Sequence, residues 1–342
     1  MNKIEPAVQT MTFSVNVPHA TTQDVFIDLS QCASLLNRRF YRQGINWAVS
    51  GIKFLSQPGT TGNPLNGTIT VEKLPETWVM SNAWEKGFRA WQKMNNEALE
   101  ETESVRPRFL DYKIYADSAH HAAGFLANLL PINTAGIATP GEWQSSKMTV
   151  PFGPSSPGNV TDFEIIAVGA NYPGASPATA INAVSLIEGY ANSRGLPNVL
   201  DPNAPDDAVD ADGSTPENWL AATFNEGTEQ TTEIIESMVG PLAENNIAPY
   251  PFENDGVHAD TMYPNGETQL SGLQIHDIEF VTGTTIGGTT RMKGGMFPCG
   301  LIALRLQNNN TTPQEGSLTH TFTIDLVPGN HRGYLCEPMT EM

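Results

Sequence analysis

Met11-Thr-Phe-Ser-Val-Asn-Val17 alternates without a break: Met11, Phe13, Val15 and Val17 fall on one face, Thr12, Ser14 and Asn16 on the other. A two-residue period is that of a β-strand with one face in a core. The same pattern returns late in the chain, in Leu301-Ile-Ala-Leu-Arg-Leu306 and Thr319-His-Thr-Phe-Thr-Ile-Asp-Leu-Val327. Between them lie strand-like runs at Asp24–Leu29, Trp47–Leu55, Asn66–Leu74, Leu110–Tyr115, Ser146–Phe152 and Phe163–Val168. Leu273-Gln-Ile-His-Asp-Ile-Glu-Phe-Val281 alternates too, with a phase slip near His276 that marks a bulge. About ten strands, long loops and little helix predict an all-β fold, an antiparallel sandwich with insertions. Helix–strand alternation of the kind that builds a parallel sheet is not evident.

One stretch reads clearly as helix. Trp84, Phe88, Trp91, Met94 and Leu99 recur close to the 3.6 period, with Asn82 and Glu85 as a loose capping box. Such an aromatic stripe is core or interface packing. A weaker stripe runs from Ser176 through Ile181, Val184, Ile187 and Tyr190.

The composition has 30 glycines, 25 prolines and only 16% charged residues, which fits a folded, turn-rich chain. No apolar run is long enough for a transmembrane helix, and the first residues do not read as a secretory signal. The net charge is −19 and very uneven. Residues 195–290 hold 17 acids and no Lys or Arg, whereas residues 1–113 hold 12 bases and 11 acids. We expect a single domain over residues 1–342 with an acidic, loop-rich insertion at about 195–272 exposed to solvent. The acids there repel one another, and a divalent cation is a candidate ligand for them; Asp206–Gly213 does not fit an EF-hand loop.

Chemistry-bearing motifs are scarce. Phosphate-loop, nucleophile-elbow and zinc-protease signatures do not occur, and Cys32, Cys299 and Cys336 fit neither a disulfide framework nor a zinc site. They read as buried or half-buried thiols. His120-His121, His258 with Asp260, and His276-Asp277 have no ligand spacing, and the chain reads as a non-enzyme without a metal site. Two groups stand out: Arg38-Arg39-Phe40-Tyr41-Arg42 and Arg106-Pro-Arg108-Phe109. Arginines interleaved with aromatics suit a single-stranded nucleic acid. The alternative is that they pair with the many carboxylates.

Ser81-Asn-Ala-Trp-Glu-Lys-Gly-Phe-Arg-Ala-Trp-Gln-Lys-Met-Asn95, Arg106-Pro-Arg-Phe-Leu-Asp-Tyr-Lys-Ile-Tyr-Ala-Asp117, Gly141-Glu-Trp143, Gly272-Leu-Gln-Ile-His-Asp-Ile278 and Gly294-Gly-Met-Phe-Pro-Cys-Gly-Leu301 carry a likeness across residues 75–305. In these phrases the chain resembles capsid proteins of small circular, Rep-encoding single-stranded DNA viruses. The resemblance implies a single jelly roll of eight main strands whose copies build an icosahedral shell around the genome, located in the virion and made inside the host cell. Its implied partners are further copies of itself, the single-stranded DNA and a host receptor, with no membrane. One departure stands out: residues 1–37 hold a single Lys3 and no arginine, where many such proteins carry a basic arm. Genome contact is therefore expected to be weak and to fall on Arg38, Arg39, Arg42, Arg106 or Arg108. The competing readings are a carbohydrate-binding or adhesive β-sandwich at a surface and an acid-pH hydrolase, the latter supported by little beyond a pI of about 4.6.

Overall fold

The computed structural model describes residues 7–59, 63–100, 111–141, 143–152, 159–171, 173–193, 219–220, 272–283, 289–311 and 316–342. The chain forms two compact units. The first comprises Met1–Glu76, Phe125–Trp143 and Gln274–Met342, the second Thr77–Gly124 and Gln144–Leu273. All but Trp219, Leu220 and Gly272 of the predicted acidic insertion lie outside the described residues.

Eight main strands build the first unit. They are β1 (Thr10–Val17), β2 (Thr22–Asp28), β3 (Ile45–Pro58), β4 (Asn66–Lys73), β5 (Gln274–Thr282), β6 (Thr289–Phe297), β7 (Leu301–Asn308) and β8 (Leu318–Leu326). One sheet runs β1-β8-β3-β6 and the other β5-β4-β7-β2, with every neighbouring pair antiparallel. Strands adjacent in the chain cross between the sheets at every step except β4 to β5, which pair within the second sheet; this is the jelly-roll order of two nested Greek keys. Cys336–Pro338 adds to the start of β3. Within the roll Met11, Phe13, Val15 and Val17 are buried as their alternation requires, and Phe322 stacks between Phe13 at 5.2 Å and Phe54 at 4.7 Å.

Two irregularities shape the edges. β3 carries Ser50 as an extra residue against β8, between the pairs Asp325↔Gly51 and Leu326↔Val49. At Gly294 of β6 a Cβ would lie 2.3 Å from the Val49 carbonyl oxygen and 2.4 Å from that of Ser50. Gly294→Ala is therefore expected to lower stability by about 2–3 kcal/mol, read as a lower urea midpoint; an unchanged midpoint would show that the strand shifts freely. β5 bulges between Ile275 and Asp277, where the sequence shows its phase slip. The slip turns consecutive side chains onto β6: the Asp277 carboxylate accepts from Lys293 N at 3.0 Å, and His276 Nε2 lies 3.1 Å from Lys293 O. Side chains thus occupy polar backbone groups of an edge strand that would otherwise invite pairing.

Several local expectations change. Strand β2 stops at Asp28 and helix α1 (Leu29–Asn37) follows directly, an element not anticipated from sequence. In the second unit α2 spans Trp78–Glu100 and begins before Asn82, because Thr77 receives the first free N–H groups through its hydroxyl and carbonyl oxygens. Residues 111–115 form no strand beyond a single bridge from Tyr115 to Ile166. The Ser176 stripe divides into a strand at Ala183–Ser185 and α4 (Leu186–Asn192), which starts where the Ser185 hydroxyl caps Glu188 N. That strand runs parallel to Asn159–Ile166, a pairing for which the sequence carries no helix–strand alternation. His120 and His121 sit in α3 (Ser118–Ala123), not on a strand. Among the described residues no helix is long and apolar enough to cross a membrane.

Candidate nucleic-acid interface

The Arg38–Arg42 run is placed by α1 and the turn after it. Asp28 starts the helix. Its carboxylate, with no exposed area, accepts from Ser30 N at 2.8 Å, Ser30 Oγ at 2.5 Å and Gln31 N at 3.3 Å. Gln43 Nε2 at 3.1 Å and Trp143 Nε1 at 2.6 Å complete five donors around one buried anion. Trp143 belongs to the Gly141-Glu-Trp phrase, so part of that likeness encodes a core hydrogen bond.

Helix α1 ends at Arg38, whose φ of 53° is left-handed and rare for a residue with a Cβ. The chain doubles back, so that Tyr41 N donates to Ser34 Oγ at 3.0 Å. Tyr41 is buried, with ring contacts to Trp47, Tyr334 and His331 at 6.0, 5.5 and 6.4 Å. Its hydroxyl donates to the Arg332 carbonyl at 3.1 Å, and the Arg332 guanidinium donates to the Phe40 carbonyl. Arg332 therefore joins the cluster from a turn almost 300 residues away, between the short paired strands Pro328–Gly329 and Gly333–Tyr334. Nothing in the local sequence pairs it with Arg38. Only the turn composition of Gly329-Asn-His-Arg-Gly333 hints that it is presented at a hairpin tip.

Arg38, Arg39, Arg42 and Arg332 are all exposed. Burial pushes the Tyr41 hydroxyl pKa up, opposed by Arg39 and Arg332; burial also pushes the Tyr334 hydroxyl up to about 12. Both stay protonated and act as hydrogen-bonding core groups. Tyr41 is thus unable to offer its face to a base, and Phe40 is only half-exposed. What the cluster presents is cationic charge: among the described residues neither Arg38 nor Arg42 has a carboxylate at ion-pair distance. Arg106 and Arg108, the other predicted pair, lie outside the described residues.

Among the described residues the remaining titratable groups are held in structural contacts. In the second unit His121 Nε2 is 2.8 Å from Glu164 Oε2, and Ser145 Oγ donates to Glu164 Oε1 at 2.5 Å. Burial raises the Glu164 pKa, but bonds from His121, Ser145 and Thr179 outweigh it and hold the carboxyl below its ordinary range. The carboxylate stands between serine and histidine, whereas nucleophile activation needs the histidine on the serine. Both side chains are sealed from solvent. His276 and Asp277 bond the backbone of β6, while His258, Asp260 and the acids of 206–213 lie outside the described residues. Cys32 and Cys299 are buried and Cys336 half-buried; desolvation raises all three thiols, Cys336 to about 12. Among the described residues no three His, Cys, Asp or Glu side chains are grouped to hold a metal ion. No protein-family model matches the chain, and neither a curated protein nor a solved structure matches it.

Proposed function

We propose that this chain is a structural shell protein whose copies self-assemble into a closed icosahedral capsid around a small circular single-stranded DNA genome. The observation that carries the reading is an outward apolar strip on a jelly roll. Ile278 pairs with Thr70 and Phe280 with Thr68, while the intervening β4 residues Ile69 and Val71 point into the core. Ile275, Ile278 and Phe280 therefore stand on the outer face of the second sheet, at its β5 edge, and are 55, 45 and 66% exposed. Alternation in a sequence tells which residues share a face; here the apolar face is the outer one. Three large apolar side chains in a row on a sheet edge are stabilised by a protein partner, and closed symmetric assemblies are built from such contacts. The resemblance to circular single-stranded DNA virus capsid proteins supports the same reading, as does the jelly roll, a fold shared by capsid and lectin domains.

Size-exclusion chromatography with electron microscopy tests it. Purified chain should form closed particles under some condition of salt and pH, and a monomer under all of them would overturn the proposal. With a net charge of −19 and 18 Lys and Arg against 37 Asp and Glu, shells assembled from the chain alone should hold little nucleic acid. Their 260/280 nm absorbance ratio should be that of protein, and a nuclease-resistant nucleoprotein ratio would contradict this.

A second reading, a carbohydrate-binding sandwich, is favoured by the exposed Phe280 ring beside Thr68 and, across the next pair, Gln307. It predicts a small species in solution and glycan binding lost on Phe280→Ala.

A further inference from the structure

The outer face of the first sheet carries a feature that composition conceals. Its register lines up Thr12, Thr323, Lys53 and Arg291 in one row across β1, β8, β3 and β6. The next row reads Thr10, Asp325, Gly51 and Lys293, and the one on the other side Ser14, Thr321, Leu55 and Thr289. Lys53 and Arg291 are thus direct cross-strand partners, and both are exposed, as is Lys293 one row away. Like charges directly opposite each other destabilise a sheet. Among the described residues none of the three has a carboxylate at ion-pair distance. The acids close by are already engaged: Asp325 accepts from Thr10 Oγ1 at 2.6 Å, and Asp277 takes the Lys293 backbone N–H. By contrast, the one arginine on the outer face of the second sheet, Arg305, is held by Asp24 at 2.9 Å and faces Glu72 at 3.6 Å. In a chain of net charge −19, three exposed cations that form no ion pair among the described residues stand beside a field of threonine and serine hydroxyls, a surface chemically suited to an anion.

We propose that Lys53, Arg291 and Lys293 form a phosphate-contact surface for single-stranded nucleic acid on the outer face of the β1-β8-β3-β6 sheet. The choice of nucleic acid as the anion rests on the shell reading above; the surface itself rests on the register. Strand spacing of about 4.8 Å puts the Lys53 and Arg291 cations within reach of consecutive phosphates of an extended strand. The three rows contain no aromatic side chain, so bases have no stacking platform there. Contact is through the backbone and independent of sequence, with neighbouring hydroxyls as further donors to phosphate oxygens.

Fluorescence anisotropy with labelled oligo-dT and oligo-dA, titrated from low to moderate salt, tests the surface. The full chain should bind both alike, with affinity falling as salt rises. K53A/R291A/K293A should flatten the slope of log K against log salt by about 2, at roughly 0.7 per single-strand phosphate contact, and weaken binding on the order of a hundredfold at ~50 mM salt. Its melting temperature should hold or rise, because the Lys53–Arg291 repulsion is gone. R305A should leave the slope unchanged, and R38A/R42A reports any share taken by the arginine cluster. A triple variant with the wild-type slope overturns the proposal, as does loss of heparin binding with oligonucleotide binding intact, which would reassign the face to a sulfated polysaccharide. Electron microscopy of the same samples separates the two proposals. Particles that form while the triple variant binds as wild type remove only this surface; salt-dependent loss without particles keeps the surface and removes the shell.

Discussion

Asp28→Ala is expected to cost the first unit about 3–5 kcal/mol. The carboxylate has no exposed area and is the shared acceptor for Ser30 N, Ser30 Oγ, Gln31 N, Gln43 Nε2 and Trp143 Nε1. Alanine leaves these buried donors without an acceptor, at about 1–3 kcal/mol for each one that finds no substitute. It also removes the cap of α1, worth about 1 kcal/mol. Asp28→Asn should be nearly as damaging although it conserves shape. Four of the five partners are N–H donors, so an amide NH₂ placed among them meets further donors, and only the Ser30 hydroxyl can turn to accept from it. Trp143→Phe, which removes one donor and leaves the anion four, should cost only about 1–2 kcal/mol. Urea melts followed by near-ultraviolet circular dichroism rank the three. If Asn is tolerated as well as Asp, the network is not held by charge. Since α1 and its following turn carry Arg38, Arg39 and Arg42, loosening this hub should also disperse the arginine cluster before the sheets unfold.

Acid should destabilise the roll through His320. Its ring is 1% exposed inside the sandwich, with Nδ1 2.8 Å from Ser56 Oγ and the Phe54 ring edge-on at 6.4 Å. Burial lowers its pKa to about 4. In the unfolded chain a histidine titrates near 6.5, so between these values the unfolded state binds the extra proton. Stability from this group is complete above pH ~6.5 and falls as the pH drops toward 4, by about 3 kcal/mol in all. The measurement is the unfolding free energy of wild type and His320→Gln at several pH values from 7.5 to 4.5. Their difference isolates His320 from the other titrating groups of the chain. The wild type should lose about 2 kcal/mol relative to the variant over that range. Parallel curves would show that the ring is not the acid-sensitive element.

The strands of this protein are legible in its sequence because each is a local periodicity. Met11–Val17 and Thr319–Val327 fold as their alternation predicts, and the His276 slip is a real bulge. Helix α1 is not legible in the same way. Leu29–Asn37 follows an apolar strand without a break, and its cap is a residue that the alternation assigns to that strand. Asp28 becomes a cap because Gln43 and Trp143, distant in sequence, make its burial tolerable. The early start of α2 and the split of the Ser176 stripe have a similar origin: a threonine and a serine take up free backbone N–H groups at positions that periodicity does not mark.

By itself the sequence determined the all-β class, the faces of the main strands, the aromatic helix and the concentration of acid in one segment, all of which depend on residue spacing or composition. It also determined that Arg38, Arg39 and Arg42 travel together. The order β1-β8-β3-β6 against β5-β4-β7-β2 was decided only in three dimensions, because strand pairing joins residues up to about 300 positions apart and side-chain alternation carries no label for its partner. The same register decided which side of each strand meets water. It turned Ile275, Ile278 and Phe280 outward although their alternation resembles that of core strands, and set Lys53 against Arg291, while the tertiary packing brought Arg332 to Phe40 and Tyr41. Periodicity records that residues share a face; only the packing of one sheet on another says which face is inside.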